Sequence, residues 1–215
     1  MTPSSNGFRQ KQHPILVKGG KCQKFFQEFF YFKYFVYYCH MNRDQEMLLK
    51  SIHSIVNIDG LDLEYGDMKY LLPNMIGKYS NRGKIYLSDS VVNILTINGY
   101  PINGDIRYKN IFYGKNCKFY KEHRIKFVAD HVVPCSHILN LIMESDKGIN
   151  TIGDILSSNV VVMILKEEDD RLNSMGYRSM ITEDFDLSNN IWGRYNKCGI
   201  SVSDNYFIDV GTIFR

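Results

Sequence analysis

The residues able to do chemistry gather around Asp130-His131-Val132-Val133-Pro134. An Asp-His pair follows the apolar stretch 125–128, and a proline stops the extended run four residues after the aspartate. A carboxylate and an imidazole side by side at a strand end can divide labour. One holds a divalent cation and the other takes a proton from water. The dipeptide alone is common, and its value comes from what lies downstream. Residues 160–164 are Val-Val-Val-Met-Ile, the composition of a buried strand, opened by Asn159. Residues 166–175 then read as a helix closed by Gly176, a residue suited to the position after a helix end. Leu165, Leu172 and Gly176 fall on one line of that helix. Glu168 and Asp169 stand three and four residues after Leu165 and share its face. A helix normally turns its carboxylates to water, because burying an unpaired one is costly. Two acids on the apolar face are an inconsistency that a bound cation would resolve. The alternative is that they are first-turn acids that complement the helix dipole and stay wet.

The elements that would position these groups follow from the intervening sequence. A strand over 125–128 delivers Asp130 and His131 to its end. Ser136 caps a helix carrying Ile138, Leu139, Leu141 and Ile142, which Lys147-Gly148 ends. Thr151 caps a short helix reaching Leu156. The order is strand, long insertion, strand, helix.

Over 123–200 the chain resembles the HNH, or ββα-metal, nucleases, and in particular a divergent stand-alone set of them. The resemblance is carried by Asp130-His131-Val132-Val133-Pro134, Asn159-Val160-Val161-Val162 and Lys166-Glu167-Glu168-Asp169. To these are added Leu172-Asn173, Gly176-Tyr177-Arg178-Ser179 and Trp192-Gly193-Arg194-Tyr195. It implies a pair of strands with a helix packed across it, and hydrolysis of DNA phosphodiesters around a single Mg²⁺ or Mn²⁺ ion. His131 would be the general base, Asn159 would help to fix it, and Asp130 would be a metal ligand. The final ligand position, usually His or Asn in the family, falls at Glu168 or Asp169, with Asp169 favoured for its place on the Leu165–Gly176 line. The departure from histidine leaves open a scaffold that has lost its catalysis and binds nucleic acid or a protein partner, and also a nuclease toxin or defence effector. A guanidinium grips two phosphate oxygens at once, so Arg178 and Arg194 are read as nucleic-acid contacts or, equally, as structural ion-pair partners. Arg124 and Lys126 join them, from a basic run just before the Asp-His pair that is either a phosphate-binding flank or ordinary strand-edge charge. The DNA is read as double-stranded.

Composition sets the frame. The chain has 215 residues, 44% of them hydrophobic and 13% aromatic, enough for a sizeable core. A formal charge of +3 is compatible with nucleic acid without demanding it. The five cysteines form no CxxC pair, which argues against a zinc knuckle and for reduced thiols in a cytoplasmic protein. The polar start offers no secretory leader. Residues 1–20 read as a flexible arm, 21–117 as a mixed α+β region and 118–215 as the HNH-like module. Within the second, the aromatic run 25–40 is a helix apolar nearly all round, buried in the core or forming a homodimer interface. It is too short and too interrupted by Gln27, Glu28 and Lys33 to span a membrane. Residues 42–57 read as a second helix and 84–88 as a strand, whereas 61–72 and 91–97 are ambiguous between helix and strand. Pro73-Asn74 is read as a turn and 106–113 as a strand. The expected fold class is α+β.

Overall fold

A computed structural model describes residues 43–64, 68–100, 102 and 118–209. The arm over 1–20, the aromatic run over 25–40 and the strand expected over 106–113 lie outside the described residues. The described elements belong to one unit, residues 41–215. They comprise helices α1 (Arg43–Val56) and α2 (Met68–Ser80), strand β1 (Lys84–Ser88), helices α3 (Asp89–Ile97) and α4 (Lys118–His123), and strand β2 (Phe127–His131). Then come helices α5 (Cys135–Glu144) and α6 (Ile149–Ser157), strand β3 (Val161–Leu165), helices α7 (Lys166–Ser174) and α8 (Gly193–Lys197), and strand β4 (Val202–Asp209). The fold is α+β, as its sequence leads one to expect.

The four strands form one sheet in the order β2-β3-β1-β4. β2 runs antiparallel to β3, with Asp130 opposite Val162 and His131 opposite Val161. β3 runs parallel to β1, which pairs antiparallel with β4 on its other side. The sheet therefore joins segments on both sides of residue 117, and the C-terminal module expected over 118–215 shares its sheet with β1. Alternation of side chains along the strands divides the core. Ile85, Leu87, Phe127, Val161 and Met163 pack with Val91 and Leu95 of α3 and Phe119 of α4. On the other face, Val162 and Ile164 pack with Leu172 of α7 and Tyr195 of α8. A third cluster is helical: Leu49, Ile52, Leu72, Ile76, Tyr79, Ile138, Ile142, Ile152 and Leu156 bring α1, α2, α5 and α6 together.

Two local readings change. Pro73 lies inside α2 rather than in a turn. Leu72 and Ile76 on either side of it are fully buried, and that burial outweighs the helix hydrogen bond a proline cannot donate. The ambiguous run 91–97 is helical because Ser88 caps it, its hydroxyl accepting from the Val91 amide at 3.3 Å. The helix expected to be capped by Ser136 begins two residues earlier with Pro134 at its cap position, and the one expected to be capped by Thr151 begins at Ile149 after Gly148. No described helix is long and apolar enough to cross a membrane.

Candidate functional site

Asp130 and His131 are the last two residues of β2, and successive side chains of a strand leave opposite faces. Their partners bear this out. The Asp130 carboxylate points toward α8. Its Oδ2 accepts a hydrogen bond from the Tyr195 hydroxyl at 2.6 Å and is paired with the Arg194 guanidinium. The His131 ring points toward α2, where Nε2 lies 3.3 Å from the Gly77 carbonyl oxygen. An oxygen of that kind only accepts, so the contact is a hydrogen bond in the tautomer that carries the proton on Nε2 and leaves Nδ1 as acceptor.

The Asp130 side is a closed ion-pair network. Arg194 is 2% exposed. Its Nε donates to the Val132 carbonyl at 2.7 Å and Nη1 to that of Tyr177 at 2.6 Å, while Nη2 reaches the His131 carbonyl as well as Asp130. Of the two readings of Arg194, the structure has the ion-pair partner and not the phosphate contact: the guanidinium is spent inside the fold, joining β2 to the 177–178 segment. Burial, followed by the nearby Asp130 charge, pushes the Tyr195 phenol far above its ordinary value, so it remains a donor. Gly193, just before this pair, is buried, and a Cβ there would stand 2.1 Å from the Thr182 hydroxyl oxygen. The segment is threaded too closely for a side chain.

The two acids of α7 are likewise engaged. Glu168 is 3% exposed, and its Oε2 accepts from the Ser88 hydroxyl at 2.7 Å and from the Leu165 amide at 2.9 Å. This is one half of a capping box, since leucine brings no side-chain acceptor for the other half. Asp169 is paired with Lys166 at 3.2 Å. The place of Glu168 on the apolar face is met by a serine hydroxyl and a backbone amide. Among the described residues no group of three His, Cys, Asp or Glu side chains is assembled that could hold a metal. Asp130, Glu168 and Asp169 each have one oxygen engaged by another group of the protein.

On the His131 side a different cluster forms. A Cβ placed on Gly77 would lie 3.3 Å from His131 Cε1, 3.4 Å from His131 Nε2 and 3.5 Å from Cys135 Sγ. Imidazole and thiol thus converge on the space that glycine leaves open. Asn159 is 3% exposed and its carboxamide approaches the Cys135 thiol, yet neither its Oδ1 nor its Nδ2 makes a well-formed hydrogen bond. Burial holds the thiol up at about 11, and burial also lowers His131, so both groups are neutral near pH 7. Of the expected site residues, the structure brings His131 to Gly77 and Asn159 to Cys135, with the Asp130 charge near both His131 and Cys135. Arg124, Lys126 and Arg178 are exposed. Cys135, Gly77 and Tyr195 went unremarked as site residues. The available signals were a cysteine following Pro134, four residues after a histidine, and a tyrosine beside Arg194.

The close approach at Gly77 is testable. Alanine normally stabilises a helix interior by roughly 0.5–1 kcal/mol over glycine. Here Gly77→Ala is expected to be destabilising by about 1–3 kcal/mol, the usual range for overpacking, in urea denaturation. In a cycle with His131→Ala the penalty should shrink. An equal penalty in both backgrounds would mean that the histidine is not what the new methyl meets.

Comparison with protein-family models, with curated proteins and with solved structures gives no significant match.

Proposed function

We propose that the chain is a nucleic-acid-binding protein built on a strand–strand–helix frame of HNH type, one that no longer works as a metal nuclease. The frame is supported by the antiparallel β2–β3 pair with α7 following directly from β3 and packed against both strands. The observation that carries the loss of cleavage is the commitment of Asp130 to Arg194 and Tyr195. A carboxylate oxygen that already accepts from a guanidinium and a phenol is a weaker ligand for a cation. Binding is supported by Lys121, Arg124 and Lys126, exposed residues that lead into β2, an edge strand of the sheet. Such cations gain affinity by releasing counterions from a phosphate backbone.

A second reading, a metal-dependent endonuclease with His131 as general base, is favoured by one observation. His131 is neutral and half-buried at a strand end, with Nδ1 able to accept a proton. One experiment separates the two: plasmid incubated with the protein and Mn²⁺, or with EDTA, followed on a gel. The binding reading expects a salt-sensitive shift with the plasmid intact in both lanes, weakened by Arg124→Ala/Lys126→Ala. Nicking that needs Mn²⁺ and disappears in His131→Ala would establish the nuclease instead.

A further inference from the structure

The basic stretch that leads into β2 is more than a run of charge. We propose that it takes a single strand of DNA, with one unpaired base stacked on the Tyr120 ring beside the Arg124 guanidinium and the neighbouring lysines on the phosphates. This rests on the nucleic-acid-binding reading and names the form of nucleic acid that the same site prefers.

The first observation is where the charge lies. Residues 118–126 hold Lys118, Lys121, Arg124 and Lys126 against a single carboxylate, Glu122. This stretch alone carries a formal +3, the value of the whole chain, so the remainder is balanced. All four cations are exposed. The nearby acids of α7 do not cancel them, because Asp169 and Asp170 are paired with Lys166, whose amide donates to the Lys126 carbonyl at 3.1 Å. Cations gathered in this way suit a polyanion.

The second observation is the backbone of Arg124. Its amide donates to the Tyr120 carbonyl at 2.9 Å, and its φ is 59°. It therefore closes α4 from the left-handed position that usually goes to glycine, because a side chain there is strained. A cation answering the helix dipole needs no such strain, since it can sit inside the last turn, as Lys121 does. Strain of this kind gathers at binding sites, and here it sets a guanidinium beside an aromatic ring.

That ring is the third observation. Tyr120 is half-buried, and the Arg124 guanidinium carbon lies 6.0 Å from its centroid. A ring next to a planar cation is a surface on which a base stacks. Bases in a duplex are already stacked on one another and leave mainly phosphate to a patch like this one, whereas a single strand can turn a base onto the ring. Stacking and phosphate contact need no 2′-hydroxyl. The carboxylate of the stretch that could accept from one, Glu122, already accepts from the Tyr100 hydroxyl at 2.8 Å and lies 3.8 Å from Lys118. The strand is accordingly DNA rather than RNA.

The test uses the full chain and three fluorescein-labelled probes of equal length, an oligothymidylate, an oligouridylate and a blunt DNA duplex, followed by anisotropy at one salt concentration. The oligothymidylate is expected to bind about tenfold or more tighter than the duplex, and the oligouridylate no tighter than the oligothymidylate. Tyr120→Leu keeps an apolar group in the buried part of the site. It should lose about tenfold on the single strand, the range for one base–aromatic stack, with duplex affinity unchanged. Arg124→Gly should weaken single-strand binding more than duplex binding while raising the thermal midpoint, because glycine relieves the left-handed strain. That variant decides the matter should Tyr120→Leu not fold. A duplex bound as tightly as the single strand, parent-like affinity in folded Tyr120→Leu, or equal losses on both probes in Arg124→Gly would overturn the inference and leave the nucleic-acid reading standing. A tighter oligouridylate would overturn the choice of DNA. No binding of any probe would overturn the inference and that reading together.

Discussion

Arg194→Ala is expected to remove about 3–5 kcal/mol of stability, the usual cost of breaking a buried ion pair from one side. The loss arises from several places at once. Asp130 is left with the Tyr195 hydroxyl as its partner, and the carbonyls of Val132, Tyr177 and His131 lose their donor. Against a typical total of about 5–15 kcal/mol, that places the variant near the edge of folding. Urea denaturation measures it. Adding Asp130→Asn should return part of the loss, because the uncompensated charge is then gone. Arg194→Lys should recover little, since an ammonium cannot span the same set of oxygens as a planar guanidinium. A parent-like midpoint for Arg194→Ala would show that the guanidinium is free after all and available to phosphate.

The second large effect concerns the acids of α7. Glu168→Ala should cost at least about 1.5–3 kcal/mol, the usual contribution of hydrogen bonds to a charged group. It removes the acceptor for both the Ser88 hydroxyl and the Leu165 amide. Asp169→Ala, which loses only a partly exposed pair with Lys166, should stay within about 0.5 kcal/mol of the parent. Thermal melts of the two single variants compare them directly. Titrating Mn²⁺ into both decides between brace and ligand. A Glu168→Ala protein that melts like the parent but binds Mn²⁺ more weakly would return the residue to the metal-ligand role.

The sequence made the elements more legible than the site. Strands 84–88 and 161–165 announce themselves by apolar composition between turn residues. The helices over 43–56 and 166–174 are bounded by periodicity and by Gly176, which adopts a positive φ of 81°. The Asp-His pair stood out for the right reason, its place at a strand end. What the pair does depends on which face each residue takes and on what lies opposite, and that is decided by distant segments. Asp130 is answered by Arg194 and Tyr195, His131 by Gly77 and Cys135, and no local spacing encodes those meetings. The same holds for Glu168. Its place on an apolar face was visible, and the partner that makes the place affordable, Ser88, is on a strand contributed from far upstream.

The parallel pairing of β1 with β3 also bears on how the chain is made. Helices α1, α2, α5 and α6 all precede residue 158, so their cluster can assemble on a growing chain. β1 is an inner strand whose two neighbours, β3 and β4, are both synthesised later. Until they emerge, Lys84–Ser88 presents two unpaired edges, and closing the long loop to Val161 carries an entropy cost that no local contact offsets. Sheet closure is therefore expected late in synthesis, and a ribosome-bound chain paused before residue 161 would present an open strand beside a helical cluster that still lacks Ile181, Phe185, Leu187 and Ile191, the kind of species on which chaperones act.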